Sequence, residues 1–204
     1  LMLRHGQVAA IGPANEVVQA YIRSAEAAHV RDGQGYVALH DRLPAAEHMH
    51  VVLQAARLVD DRERAVSIVR TGDVLRMDVQ VAGLNRFPAA VVGFTVRSIF
   101  DQKIFHFNTA MAGGFDAAVR HAAESVRIEI PDLPLVAGSY AADLQVFEPA
   151  GRWIDRVAEA LRFDVVESDL YGHGYRGETR EGLIAVRGDC RIALREEAPR
   201  ESAP

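Results

Sequence analysis

The stretch Leu75-Arg76-Met77-Asp78-Val79-Gln80-Val81 alternates strictly between apolar and polar side chains. Successive side chains of a β-strand point to opposite faces, so this alternation predicts a strand with one buried face. The same alternation recurs at residues 92–98, 126–130 and 140–146. Two further strands are predicted near residues 160–165 and 183–186.

Turn-forming residues separate these segments. Phe100-Asp101-Gln102-Lys103 predicts a tight turn into a strand at residues 104–107, and glycine or proline punctuates the other intervals. No helical stretch long enough for the crossovers of a parallel sheet separates these strands. The pattern therefore predicts an all-β fold, an antiparallel Ig-like or jelly-roll β-sandwich of about eight or nine strands with an N-terminal helix.

That helix is predicted within a distinct N-terminal segment, residues 1–30. Gly12-Pro13 is typical of a helix start, because proline is tolerated in the first turn. Apolar side chains then recur on one side of a helix that runs to about His29. The aperiodic residues 31–48 are interpreted as a linker, residues 49–195 as the sandwich and residues 196–204 as a frayed tail.

Composition excludes several classes of partner. The chain has 204 residues, a net charge of −5 and a single lysine, Lys103. It therefore lacks the basic block expected of proteins that bind nucleic acid or anionic membranes. No apolar run is long enough to span a bilayer or to act as a signal peptide. The lone cysteine, Cys190, cannot form an intramolecular disulfide, and a reduced, cytoplasmic location is expected.

Motifs for nucleotide, metal and serine chemistry are weak. Gly172-His173-Gly174-Tyr175-Arg176-Gly177 matches G-x-G-x-x-G, but a polar segment follows it where a dinucleotide site needs an apolar helix. A loop between strands is the preferred interpretation. His48 and His50 lack a third metal ligand. The phosphate-loop and nucleophile-elbow motifs are missing as well, so neither a cofactor nor a metal is expected.

Two groups of carboxylates raise the alternative of a carbohydrate-active enzyme. Asp60-Asp61 is one, and Asp164, Glu167 and Asp169 form the other. Acids that border strands are far more often solvated turn residues. A glycosidase would need two carboxylates about 5–10 Å apart across a cleft, so the folded geometry decides this alternative.

Polar side chains at outward strand positions, together with one aromatic residue, form the candidate binding set. Sugars present apolar C–H faces that stack on aromatic rings, and hydroxyls that pair with planar polar groups. The chain offers both in Arg76, Asp78, Thr95, Arg97, Asp143, Gln145 and its only tryptophan, Trp153. The alternatives are a solvated sheet face for the polar residues and core packing for the tryptophan. A binding face requires neighbouring strands.

Two parts of the chain resemble a known class of protein. Residues 3–21 resemble the closing stretch of ABC-transporter ATPase domains, with the pattern residues Gly6, Gly12, Glu16, Val17 and Tyr21. The β-rich remainder is similar to the C-terminal extension of ATPases that export O-antigen and related polysaccharides, the Wzt type. The matching motifs, in order, are Gly72-Asp73, Gly93-Phe94-Thr95-Val96-Arg97, Phe107-Asn108-Thr109, Leu135-Val136-Ala137-Gly138-Ser139-Tyr140 and Phe163-Asp164-Val165.

The resemblance implies that the domain binds the exported polysaccharide without catalysis, often through a modified non-reducing end, and so couples chain completion to export. It also implies a homodimer that exchanges strands at residues 183–194, and a membrane channel subunit as partner through the parent ATPase, peripheral to the inner membrane. Because the phosphate loop is missing, this chain is not expected to hydrolyse ATP. A dimerisation or docking domain without its own glycan site is the alternative. Binding residues vary among such proteins, so none is transferred.

Overall fold

The computed structural model describes residues 2–4, 7–13, 35–113, 123–149, 151–175 and 182–187. Near the N-terminus, β1 (Met2–Arg4) and β2 (Gln7–Ala10) pair as an antiparallel hairpin. The helix predicted to run from Pro13 to about His29 lies, after Pro13, outside the described residues and stays a prediction.

The rest of the described chain forms two β-sheets. The four-stranded sheet contains β3 (Tyr36–Ala38), β4 (Leu53–Val59), β6 (Leu75–Val81) and β9 (Ser125–Ile130). The five-stranded sheet contains β5 (Ile68–Arg70), β7 (Val91–Ser98), β8 (Lys103–Asn108), β10 (Gly138–Phe147) and β11 (Trp153–Val166). A short 3₁₀ turn lies at Leu84–Arg86.

Pairing within both sheets is antiparallel, apart from three residues of β5 that run parallel to β11. The strand orders are β3-β4-β6-β9 and β5-β11-β10-β7-β8. The predicted all-β sandwich is confirmed. No segment of the described chain forms a helix with the length and apolar character that crossing a membrane requires.

The core lies between the two sheets. Met77 and Ile128 from the four-stranded sheet share one buried cluster with Phe94 and Leu144 from the five-stranded sheet. The rings of Phe94 and Phe105 meet edge to face, with centroids 5.9 Å apart. Each such side chain contributes about 1.5–3 kcal/mol on burial, so the alternation seen in β6 and β7 reflects the apolar face that closes the sandwich.

Several elements differ from the sequence expectation, among them the short strands β1, β2 and β5, which were not predicted. The strand expected near residues 160–165 begins at Trp153, because an irregularity in its pairing with β10 breaks the alternation that would have revealed the first half. Strand β4 was missed because it is largely buried on both faces and does not alternate. The segment expected as a strand at residues 183–186 makes a single bridge, between Ile184 and Leu135, within the described residues.

A buried carboxylate joins the segment before β4 to the start of β11. Asp155 has no exposed surface, and its Oδ2 accepts hydrogen bonds from the backbone N–H groups of Val52 and Leu53, each at 2.8 Å. The same oxygen lies 2.5 Å from Arg42 Nη2. The segment predicted as a linker, residues 31–48, therefore contributes both Arg42 and the short strand β3 to the sandwich. Three residues are too few to show a period in sequence.

Candidate functional site

Five of the seven predicted site residues lie on the outer face of the five-stranded sheet. Thr95 of β7 lies directly opposite Asp143 of β10, and Trp153 of β11 pairs with Phe147 of β10. Arg97 and Gln145 follow two residues along from Thr95 and Asp143, so they share the same face. The strands that carry them are hydrogen-bonded neighbours. A binding face requires neighbouring strands, and the sequence alone did not establish that these strands are adjacent.

The other two predicted residues lie in the opposite sheet. Arg76 and Asp78 are both on β6, where Arg76 pairs with Glu129 at 3.1 Å and Asp78 bridges Arg57 and Arg127. Hydrogen bonds from the two arginines, that of Arg127 foremost, hold the pKa of Asp78 below its ordinary value. These ion pairs form a charged outer surface of the four-stranded sheet and do not join the cluster around Thr95.

Thr95 is the centre of a side-chain hydrogen-bond network. Gln145 Nε2 donates to Thr95 Oγ1 at 2.7 Å, and His106 Nδ1 lies 3.0 Å from the same oxygen. Asn108 Nδ2 lies 3.0 Å from His106 Nε2. Asn108 Oδ1 already accepts two backbone N–H groups of the following turn, so its amide nitrogen faces the ring. His106 is therefore the neutral tautomer that accepts at Nε2 and donates from Nδ1.

This arrangement predicts a pH dependence of stability. Burial, reinforced by the charge of Lys103, lowers the pKa of His106 below its ordinary value of 6.5. As pH falls from about 6.5, the unfolded chain takes up this proton before the folded chain does, so the free energy of unfolding decreases. Urea titrations of the wild type and of His106→Gln between about pH 7 and pH 5 measure the effect. We expect the wild type to lose more stability than the variant; equal slopes would contradict this account.

Asp143 anchors the cationic side of the site. The carboxylate is 1% exposed, and its Oδ2 accepts from Arg97 Nε at 2.7 Å. Its Oδ1 accepts the backbone N–H of Glu159 at 2.9 Å, at the irregularity where β11 bulges away from β10. Glu159 has a positive φ of 48°, an uncommon conformation that this bond helps to hold. Arg97 also contacts Asp101 Oδ1 at 2.7 Å, so its orientation is fixed from two sides.

Aromatic rings close one end of the site. Trp153 packs against Phe147 with centroids 5.5 Å apart, and Phe147 in turn lies 6.2 Å from His106. Trp153 remains 39% exposed, which leaves part of its ring open to a ligand. The guanidinium of Arg156 lies 5.7 Å from the centre of the Trp153 ring. Together with Thr95, Arg97, Lys103, His106 and Gln145, these side chains line an open cleft of about 400 Å³.

Sequence reasoning missed three polar side chains of this cleft, Lys103, His106 and Arg156. The cross-strand register places His106 opposite Thr95, and Arg156 opposite Gln145. The predicted turn before residue 104 does not reveal His106, because a hairpin with Phe100 opposite Lys103 would place Asn108 opposite Thr95, whereas the observed register is shifted between Val96 and Arg97. Arg156 could not be found either, since its strand was expected to start several residues later.

One acid from each of the two carboxylate groups, Asp60 and Asp169, has a structural role in the described chain. Asp60 caps a turn through the backbone N–H groups of Arg62 and Arg64, and bonds from Arg64 lower its pKa. Asp169 accepts the N–H groups of Gly172 and Gly174, so this glycine-rich segment is a turn as far as the described chain extends. Within the described ranges, no three His, Cys, Asp or Glu side chains are grouped to hold a metal ion.

These features define the molecule as an antiparallel β-sandwich domain with an open, aromatic and cationic cleft on its five-stranded sheet. The cleft combines a partly exposed ring with oriented hydrogen-bonding groups, which is the chemistry of non-covalent ligand binding. The family model of the Wzt C-terminal domain matches residues 45–184, and the chain belongs to that family.

Comparison with solved structures agrees on the fold. The crystal structure of the C-terminal domain of Wzt aligns with a TM-score of 0.55 at 11% identity, covering 78% of this chain and 92% of that one. The soluble domain of PmoD from Methylocystis sp. ATCC 49242 (Rockwell) aligns with a TM-score of 0.34 at 8% identity, over 54% and 89% of the two chains, and this weaker likeness carries no argument. No curated protein sequence matches the chain.

Proposed function

We propose that this domain binds the polysaccharide exported by an ABC transporter and performs no chemistry on it. The family implies the transporter context. The observation that carries the proposal is the meeting of Trp153, Gln145 and His106 in one cleft, since the three side chains come from three different strands. Recognition of a modified non-reducing end, and coupling of chain completion to export, are parts of the same proposal.

In this proposal each side of the cleft has its own task. The exposed part of the Trp153 ring stacks on the apolar C–H face of a sugar. Gln145, oriented through Thr95, directs the rest of its amide at the hydroxyls, while His106, whose two ring nitrogens bond to Thr95 and Asn108, holds this network in place. An open, polar and hydrated site exchanges bonds to water for bonds to sugar, so its net affinity is modest.

A single tryptophan and a single lysine make the cleft directly measurable. Trp153 and Lys103 are the only residues of their types, and both line the cleft. Polysaccharide purified from the source cell should change the tryptophan fluorescence and protect Lys103 from amine acetylation, whereas dextran should do neither. A domain that dimerises without either response to its own polysaccharide would contradict the proposal and favour the docking alternative.

Replacing Gln145 tests the polar side of the cleft. Gln145→Ala removes a side chain that lines the cleft but leaves Thr95 bonded to His106, so the fold should persist. We expect the affinity for the polysaccharide to fall about tenfold, and the free energy of unfolding to change by about 1 kcal/mol at most. Calorimetric titration measures the first quantity and urea unfolding the second. Arg76→Ala on the opposite sheet is the matched control, and unchanged binding by Gln145→Ala would exclude this face.

The wider assembly follows from the same proposal. Residues 1–30 would be the end of the ATPase domain, and through the parent subunit the domain would attach to a membrane channel subunit on the cytoplasmic side of the inner membrane. The strand exchange expected at residues 183–194 lies beyond residue 187 outside the described chain, so the homodimer stays a prediction. Light scattering of the isolated chain tests whether it dimerises.

A further inference from the structure

The cleft is cationic although the chain as a whole is acidic. Its lining includes Arg97, Lys103 and Arg156 but no carboxylate, on a chain with a net charge of −5. Two acids lie just outside the lining, Asp143 below Arg97 and Asp101 beside it. Counting both acids, the cations still outnumber them. The local charge is therefore opposite in sign to that of the whole molecule.

The three cations differ in how far nearby carboxylates neutralise their charge. Arg97 bonds to Asp143 and to Asp101, each at 2.7 Å, so its role is to build the site. Lys103 is exposed and has no ion pair with any of the residues that the structure describes. It lies close enough to His106 to lower the pKa of that ring. Lys103 is thus available to a ligand.

Arg156 is held in place while its donors remain unused. Its Nη2 lies 3.8 Å from Asp143 Oδ2, beyond hydrogen-bond distance, and that oxygen is already occupied by Arg97. Its Nε is buried without a hydrogen-bond partner. Contact with the Trp153 ring orients the guanidinium, whose side chain is 41% exposed. A buried, unpartnered donor costs free energy unless a ligand satisfies it.

We infer that the sugar bound in this cleft carries an anionic group, a carboxylate or a phosphate, which Arg156 and Lys103 hold while its ring stacks on Trp153. A guanidinium offers paired N–H donors that match the oxygens of either anion, and Lys103 adds a point charge. This inference rests on the proposed function, because it names the class of sugar that the same cleft takes.

The experiment compares matched acidic and neutral sugars by calorimetry. The probes are trigalacturonate against its neutral methyl ester, and mannose 6-phosphate against mannose, so the two pairs separate a carboxylate from a phosphate ligand. We expect one acidic member to bind at least about tenfold more tightly than its neutral partner at about 50 mM NaCl. At about 500 mM NaCl, screening should reduce that advantage to roughly threefold or less.

Variants then assign the effect to Arg156 and Lys103. Arg156→Gln and Lys103→Gln should each weaken binding of the favoured acidic probe by about five- to tenfold, and should weaken binding of its neutral partner by clearly less. Arg76→Gln, on the opposite sheet, is the charge-matched control and should leave every affinity unchanged. Thermal unfolding of each variant confirms that it is folded at the temperature of the titration.

Three results would overturn the inference, and two of them come from the small probes. Equal binding of the acidic and neutral members of both pairs would show that the cleft does not select charge, and failure of all four probes to bind would count against an anionic sugar as well. Either result leaves the proposed function to be judged separately, by titration with the native polysaccharide. Binding of that polysaccharide with no loss in Arg156→Gln or Lys103→Gln would likewise reject an anionic ligand while retaining the sugar-binding cleft.

Discussion

Asp155→Ala is expected to lower the free energy of unfolding by about 3–5 kcal/mol, the largest stability effect of any single substitution discussed for this domain. The change removes the acceptor of the backbone N–H groups of Val52 and Leu53 and leaves the largely buried Arg42 without its partner. Buried donors and charges that lose their partners carry the full cost of desolvation. Equilibrium unfolding in urea, with the slope compared between variants, measures the loss.

Two further variants make this prediction specific. Asp61→Ala removes an exposed carboxylate from a turn and should change stability by less than about 0.5 kcal/mol. Asp155→Asn retains an oxygen acceptor but loses the charge, so it should fall between the wild type and Asp155→Ala. A loss of less than about 1 kcal/mol in Asp155→Ala would mean that the segment before β4 is not held by this carboxylate.

Asp143→Ala is expected to disable the cleft as well as weaken the fold. Without the carboxylate, Arg97 loses its principal partner and the N–H of Glu159 loses its acceptor at the bulge. We expect the free energy of unfolding to fall by about 3 kcal/mol, and the affinity for the polysaccharide to fall about thirtyfold or more. Urea unfolding and calorimetric titration, at a temperature where the variant is folded, measure the two effects.

The comparison with Gln145→Ala separates positioning from contact. Asp143 is almost fully buried, so it acts on a ligand through Arg97 and the bulge, whereas Gln145 offers its own side chain to the cleft. Asp143→Asn keeps an acceptor for the Glu159 N–H while it weakens the hold on Arg97, and should lose binding with a smaller loss of stability. Wild-type affinity in Asp143→Asn would show that the position of Arg97 does not matter for binding.

Strands were predictable where apolar and polar side chains alternate, whether the polar ones are partly exposed, as in β6, or buried, as in β7 and β10. The alternation of β6, with Met77 and Val79 inward and Asp78 outward, is visible in the sequence because only one side of that sheet is covered by the other. In β4 no such contrast exists, since apolar residues are buried on both faces. In β11 the bulge at Glu159 shifts the inward and outward positions partway along the strand, and the first half was therefore missed.

Four residues of the candidate site were predictable from alternating strands, and Trp153 was predicted from its aromatic side chain alone. Thr95, Arg97, Asp143 and Gln145 lie on regular, alternating strands, so their outward direction follows from the sequence. Which sheet they belong to does not, because strand order depends on contacts between distant segments, and Arg76 and Asp78 consequently fell on the opposite side of the molecule. Predicting Arg156 would have required both the first half of β11 and its register with Gln145. Neither is visible in the local sequence pattern.

The buried carboxylate near the start of β11 also has a mechanical meaning. Asp155 accepts hydrogen bonds from the backbone of Val52 and Leu53. It lies on β11, two residues after Trp153, which lines the cleft. Tension on the chain between Arg42 and Leu53 is therefore delivered to that wall of the cleft. A force applied where the chain enters the domain and any force on Trp153 in the wall of the cleft would therefore act on the same short part of β11.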